Sequence, residues 1–465
     1  MILGGFMVPH PPLIIPEVGR GEEKKISRTI ASYETVGRMV SALAPETIVV
    51  ISPHSVMYSD YFHISPGTKA EGDFGQFRAG QVRIAAEYDE AFRDELLSRL
   101  VRDGFPAGTD GERDARLDHA TMIPLYFIGR YLSPLPKIIR IGLSGLPLPL
   151  HYALGRYLQQ TADALNRRTV IIGSGDLSHC LKAEGPYGFQ KEGPVYDQRI
   201  MKDMGEAAFD RLLDYNDNFL NDAQECGHRS FVIMAGALDG LAVNTQCLSH
   251  EDTFGVGYGI CTYEVTGRDP DRCFLDSWLK RQQEENQLRR AGEDAYIALA
   301  RQSVETYVRT GRTMRMPEGL PREMTERAAG VFVSLHRYGN LRGCIGTISA
   351  VRSCIAEEII ANAVSACAHD PRFSPVTTAE LADLVISVDV LGPTEPIHGP
   401  EDLDVRRYGV IVSKGRRRGL LLPNLEGVDT VQRQIEIAAQ KAGLSGDEDG
   451  LSLERFEVVR HEVKE

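Results

Sequence analysis

No two of the eight cysteines, at 180, 226, 247, 261, 273, 344, 354 and 367, are spaced CxxC. That scatter excludes a zinc ribbon and, in a chain of 465 residues, argues against a disulfide framework. Most of these thiols are expected to be reduced and buried. Long apolar runs are missing too, since none approaches the ~18 residues of a membrane span. The opening MILGGFMVPHPPLIIP has no basic stretch and no small-residue cleavage site, and His10 and several prolines interrupt it. A soluble, cytoplasmic protein is expected. Positive charge is in deficit: 52 Lys and Arg against 65 Asp and Glu give −13. Nucleic acid and anionic membrane both repel such a chain, so neither is expected as a main partner. There is no internal repeat and no low-complexity segment.

What is present is an ordinary globular composition, 42% hydrophobic and 25% charged, in a chain too long for one comfortable core. Two domains are expected. In the first, 1–265, apolar strands alternate with amphipathic helices. TIVVIS (47–52) follows a helical segment that exits at Pro45, KIIRIGLS (137–144) precedes a helix near 152–166, and RTVIIGSGDLS (168–178) follows it. Near-continuous apolar strands between helices predict an α/β fold with a largely parallel sheet covered on both faces. FGVGYGICTYEV (254–265) reads as the last strand of the unit. The polar stretch 266–285 reads as a linker. From 286 to 465 a second, α+β domain is expected. Its elements are a helix with Tyr296, Leu299, Val304 and Val308 apolar that ends near Gly311, strands VFVSLH and LRGCIGTI, a helix over 353–370, and the strand LVISVDVL.

Five histidines and a glutamate stand just past apolar or glycine-rich stretches: His10, His54, His119, His179, and Glu225 with His228 in ECGHRS. Functional groups in open α/β sheets gather beyond the carboxyl ends of strands, so residues distant in sequence can meet there. Two imidazoles and a carboxylate, His10, His54 and Glu225, would hold a divalent metal such as Fe(II) on one face and leave positions open. A histidine outside that shell, His179, can move protons. His119, beside Asp118, can bind substrate or stabilise developing charge. A lone histidine near a strand end is more often a satisfied core or surface residue; here it is the ordered set that signals.

That set, HPP at His10, SPH at His54, DHATMIPL at His119, SGDLSH at His179 and ECGHRS at Glu225, resembles the class III extradiol dioxygenases, the LigB-type family, and the related Memo family. The resemblance spans roughly residues 1–265. It implies metal ligands His10, His54 and Glu225, a catalytic acid/base His179 and a pocket histidine His119. It further implies a non-haem ferrous-iron oxidoreductase that cleaves a catecholic or other phenolic small molecule with O2. Two alternatives stay open. Memo-type proteins place a cysteine at the metal site, and Cys226 adjoins Glu225; adjacent residues point in different directions, so one of the two ligates. For function, the alternatives are metal-dependent catalysis without dioxygen or a Memo-like metal-binding scaffold. His228 is either a partner of the site or structural.

LRGCIG (341–346), AHDPRFSP (368–375) and RRYGVIVSKGRRRGLLLP (406–423) resemble the AMMECR family over about 286–465. Fusion of the two regions is similar to bacterial AmmeMemoRadiSam systems, which implies a radical SAM protein partner. The chain has no CxxxCxxC iron–sulfur signature, so it is not that partner. Homo-oligomer formation is left open. In the second domain a C-terminal site is expected at Cys344, whose flanking glycines read as a sharp turn and whose thiolate Arg342 would stabilise, with His369 as base and Arg372 as anion anchor. The alternative for Cys344 is a small packed hydrophobe. Cys354 and Cys367 read as core, and KGRRRG (414–419) reads as a hairpin turn.

Overall fold

Strands buried on both faces need no polar alternation, and the first sheet is built of them. Every residue of Thr47–Ser52 and of Thr169–Ser174 is buried. The computed structural model describes residues 1–463 apart from 426 and 447–449. The chain divides into two units, Met1–Leu279 and Lys280–Glu465.

In the first unit six strands run across the sheet in the order Lys137–Gly142, Thr47–Ser52, Thr169–Ser174, Ile2–Val8, Tyr258–Arg268, Leu241–Glu251. The first four are parallel, and the last two add antiparallel to that block. Helices cover the sheet. Ser27–Leu43, with Tyr33, Val36 and Val40 buried, packs on His119–Gly129, and Leu148–Ala164 packs on His228–Ala237. The α/β fold with its largely parallel sheet is as expected from the apolar strands. FGVGYGICTYEV ends in a strand as read, but one that lies inside the sheet with the unforeseen strand Leu241–Glu251 beyond it.

The stretch 266–285 is ordered rather than extended. The strand runs on to Arg268, and the helix Phe274–Ala291 carries the chain across the boundary between the units. Trp278 Nε1–H donates to Asp214 (2.8 Å) and Phe274 N–H to Asp239 (2.8 Å), which ties the start of that helix into the first unit.

The second unit holds two four-stranded antiparallel sheets. One runs Asn340–Gly346, Val331–Arg337, Leu384–Leu391, Val458–His461; the other runs Glu395–Ile397, Ser452–Phe456, Gly409–Lys414, Arg417–Leu421. Period-two alternation sends Leu384, Ile386, Val388 and Val390 to one face, all at most 3% exposed, in one core with the helices Ala295–Thr310 and Ile355–Ala368. Each such side chain contributes roughly 1.5–3 kcal/mol on burial. The helix Ala295–Thr310 starts at Asp294, whose carboxylate accepts from Tyr296 and Ile297 N–H, and stops at Gly311, left-handed at φ 68°. Cys354 and Cys367 are core, and KGRRRG is a hairpin turn in which Lys414 pairs with Arg417.

Candidate metal centre

Thr47–Ser52, Thr169–Ser174 and Ile2–Val8 are neighbours in the sheet and run the same way, so whatever follows each of them collects at one edge. His54 follows the first, Gly175–His179 the second and His10 the third. Elementary strand order therefore brings together residues more than a hundred positions apart.

Hydrogen bonding fixes how His10 points. The Ser174 hydroxyl donates to the carbonyl of Ala120 (2.7 Å), so its oxygen accepts from His10 Nδ1–H (3.1 Å). That leaves the Nε2 lone pair of His10 facing His54 Nε2, 3.1 Å away. Cys226 Sγ lies 3.5 Å from the same His10 nitrogen. Among the described residues these three form the group able to hold a metal, with all three donor atoms within 4.8 Å of one another. Donors bound at about 2.0–2.3 Å to one ion lie roughly 3–3.7 Å apart. The two spacings from His10 Nε2, 3.1 Å to His54 and 3.5 Å to Cys226, fall in that range.

Four imidazoles crowd this edge. Burial, then His54, His119 and His179, hold His10 well below the ordinary histidine range. Burial also lowers His54, with the Asp118 carboxylate opposing, and brings His119 down to about 4 with His54 contributing. All are therefore neutral near pH 7, the form that binds metal. The His119 ring sits 4.3 Å from that of His54 and 5.4 Å from that of His10, with Phe77 5.4 Å away on it. Asp118 caps the helix that His119 begins and accepts from Ser52 Oγ–H (2.6 Å), while Ser52 Oγ accepts from His54 N–H (3.2 Å). His179 donates Nδ1–H to the carbonyl of Gln224, which leaves Nε2 as its basic nitrogen, and burial lowers its pKa. A cavity of about 480 Å³ reaches His54 and His119, with Phe77, Arg113 and Arg116 among its other walls.

Asp176 clasps two of the donors. Its Oδ1 accepts from His10 N–H (2.6 Å), and its own N–H donates to Cys226 Sγ (3.3 Å). Burial pushes its carboxyl up to about 7. The clasp needs the backbones at 175 and 227 to touch: a Cβ on Gly175 would lie 2.1 Å from Gly227 Cα. Gly175→Ala is therefore expected to cost about 1–3 kcal/mol and to weaken metal binding by moving Cys226 off His10. Thermal melts with and without added metal check both effects.

Comparison with known proteins agrees with this architecture. Residues 4–261, more than half of the chain, match the family model "Catalytic LigB subunit of aromatic ring-opening dioxygenase". A protein of Clostridium acetobutylicum is 38% identical over 99% of this chain and 99% of its own. The chain belongs to the LigB family. Residues 297–463 match a second family model, AMMECR1, so a LigB domain is fused to an AMMECR1 domain. A Thermotoga maritima protein is 48% identical over 37% of this chain and 98% of its own. The crystal structure of an uncharacterized Escherichia coli protein is 16% identical, covers 56% of this chain and 99% of that chain, and has a TM-score of 0.36.

Of the expected set His10, His54 and Glu225, the structure groups the two histidines with Cys226 rather than with Glu225. Glu225 is turned away from the two imidazoles: its Oε2 accepts from His228 N–H (2.6 Å) at the start of the helix His228–Ala237, and burial pushes its carboxyl up to about 7. The neighbouring side chain, Cys226, takes the place facing His10. His228 is buried, with Nε2 on the Leu212 carbonyl (3.0 Å) and Nδ1 on Tyr196 Oη (3.4 Å), which is a structural role.

The AMMECR1 domain also differs from expectation. Cys344 lies within the strand Asn340–Gly346 rather than on a turn. Arg342 turns away from it, bound to Glu380 (2.8 Å). His369 ends the helix Ile355–Ala368 near Tyr307, outside the cavity that Cys344 lines. Arg372 does meet Cys344, donating to its carbonyl (3.0 Å) while pairing with Asp370 (2.7 Å).

Proposed function

We propose that the LigB domain is a metal-dependent oxidoreductase acting on a small catecholic or other phenolic molecule. The convergence of His10, His54 and Cys226 beside a cavity is the observation that carries this reading. Ferrous iron held there would supply Lewis acidity and electrons for dioxygen chemistry, with three protein donors leaving positions open. The chain's own groups do the remaining work. His179, its tautomer held by Gln224, accepts a phenolic proton on Nε2. His119 lines the cavity beside His54 and stabilises negative charge developing on the substrate. Phe77 offers an aromatic face to the ring, and Arg113 puts a cation at the wall.

The thiol favours a second reading at the same site. Thiolate suits a softer ion than a carboxylate does. A metal-dependent reaction without dioxygen fits that preference, and the fusion to an AMMECR1 domain supports a metal-binding scaffold working with a radical SAM partner. One experiment separates the readings: load the chain anaerobically with Fe(II), then add a panel of catechols and oxygen. The first expects a coloured ring-opened product. Stoichiometric iron with no product from any catechol removes it and leaves the second.

A further inference from the structure

The AMMECR1 domain carries a cavity of about 720 Å³ lined entirely by its own residues. Its floor follows from the pleat. The strand Val331–Arg337 buries Val331, Val333 and Leu335, so Phe332, Ser334 and His336 face the other way, half-buried. Cys344 pairs with Ser334 across the ladder and shares that face. The Ser334 hydroxyl donates to Cys344 Sγ, 3.2 Å away. This thiol is unlike the buried Cys354 and Cys367 in that it is half-buried and open to a cavity.

The glycines around it serve close packing, not a turn. A Cβ on Gly343 would lie 2.2 Å from the Ala366 carbonyl, and one on Gly346 would lie 2.2 Å from the Phe332 ring. The motif LRGCIG therefore seats its strand tightly on the helix behind while leaving the thiol facing forward.

The walls are rich in cations. Arg372, Arg418, Lys441 and Arg460 line the cavity, against Asp389 and Glu462 as its acids. Three are engaged: Arg372 with Asp370, Arg418 with Glu454 (2.7 Å) and Arg460 with Asp389 (2.8 Å). Lys441, at the end of the helix Val431–Lys441, lines the same cavity as Cys344 and Arg372. Phe332, Leu420 and Leu422 give the same space an apolar side. A volume within the usual ~300–1,000 Å³ of small-molecule sites, apolar walls and a few convergent polar groups describe a pocket for a small ligand.

We propose that this cavity binds a small organic anion, a carboxylate or phosphate ester with an apolar body, its charge at Lys441 and Arg372 and its body beside the Cys344 thiol.

Alkylation reads the charge seen by Cys344. Iodoacetate and iodoacetamide both form a sulfur–carbon bond with loss of iodide, and they differ in the negative charge that only iodoacetate carries. The full chain is treated with each in parallel, and the Cys344 peptide is quantified by mass spectrometry. The iodoacetate-to-iodoacetamide rate ratio is expected to exceed that of glutathione by about tenfold, the low end of what a charged cleft adds to encounter rates. Excess inorganic phosphate should lower the Cys344 rate with iodoacetate. Lys441→Gln should return the ratio toward that of glutathione with melting temperature unchanged. A wild-type ratio no higher than that of glutathione overturns the proposal without any variant. So does a raised ratio that survives both phosphate and Lys441→Gln.

Discussion

Cys226→Ser is expected to strip the chain of its metal, while Glu225→Gln leaves the metal content as it was. The two residues are neighbours with similar burial, so only direction distinguishes them. Cys226 Sγ lies 3.5 Å from His10 Nε2, whereas the Glu225 carboxylate is occupied by the N–H of His228. Glutamine can still accept that bond, so the helix start survives the second substitution. Losing a donor outright should weaken binding beyond the ~10–100-fold typical of losing an outer hydrogen-bond partner. Metal content after dialysis gives the first measurement. Cobalt substitution gives an independent one: the wild-type chain and Glu225→Gln should show a thiolate-to-cobalt charge-transfer band that Cys226→Ser lacks. Metal lost from Glu225→Gln and kept by Cys226→Ser would restore the carboxylate as ligand.

That ambiguity marks where the sequence stopped being legible. His10, His54, His119 and His179 stood out because each follows a strand end or begins a helix, and parallel strand order alone brings such positions to one edge. Which of two adjacent side chains points inward depends on where the next helix begins. The decisive fact is that the first turn of His228–Ala237 leaves N–H groups needing an acceptor, and Glu225 supplies one. Asp176 was hidden for a related reason. Its importance lies in two bonds that no residue type announces, the His10 N–H on its carboxylate and its own N–H on Cys226 Sγ.

The strand Leu241–Glu251 was missed because LAVNTQCLSHE is an edge strand, much of it solvent-facing, and carries neither clean alternation nor a continuous apolar run. LRGCIG was misread because a glycine required by close packing looks the same in sequence as one required by positive φ. The core strand LVISVDVL was transparent, since burial on one face enforces period two.

His179→Ala is the sharper test of the proposed chemistry. Removing a positioned proton acceptor costs ~10²–10⁴-fold in turnover, and His179 is not among the three donors, so metal content should hold. His54→Ala should lose both. The pH profile supplies a readout that a structural role would not move. Burial lowers the folded-state pKa of His179 below the ordinary histidine value, so its neutral, proton-accepting form persists through neutral pH. The acid limb of the wild-type rate should therefore lie below pH ~6.5 and be absent from the residual rate of His179→Ala. Added imidazole should restore part of the lost turnover if Nε2 is the acceptor, because a free ring can fill the vacated space. A variant that loses its metal together with its activity, and that imidazole does not rescue, would instead make His179 a support for Gln224 and the Cys226 turn.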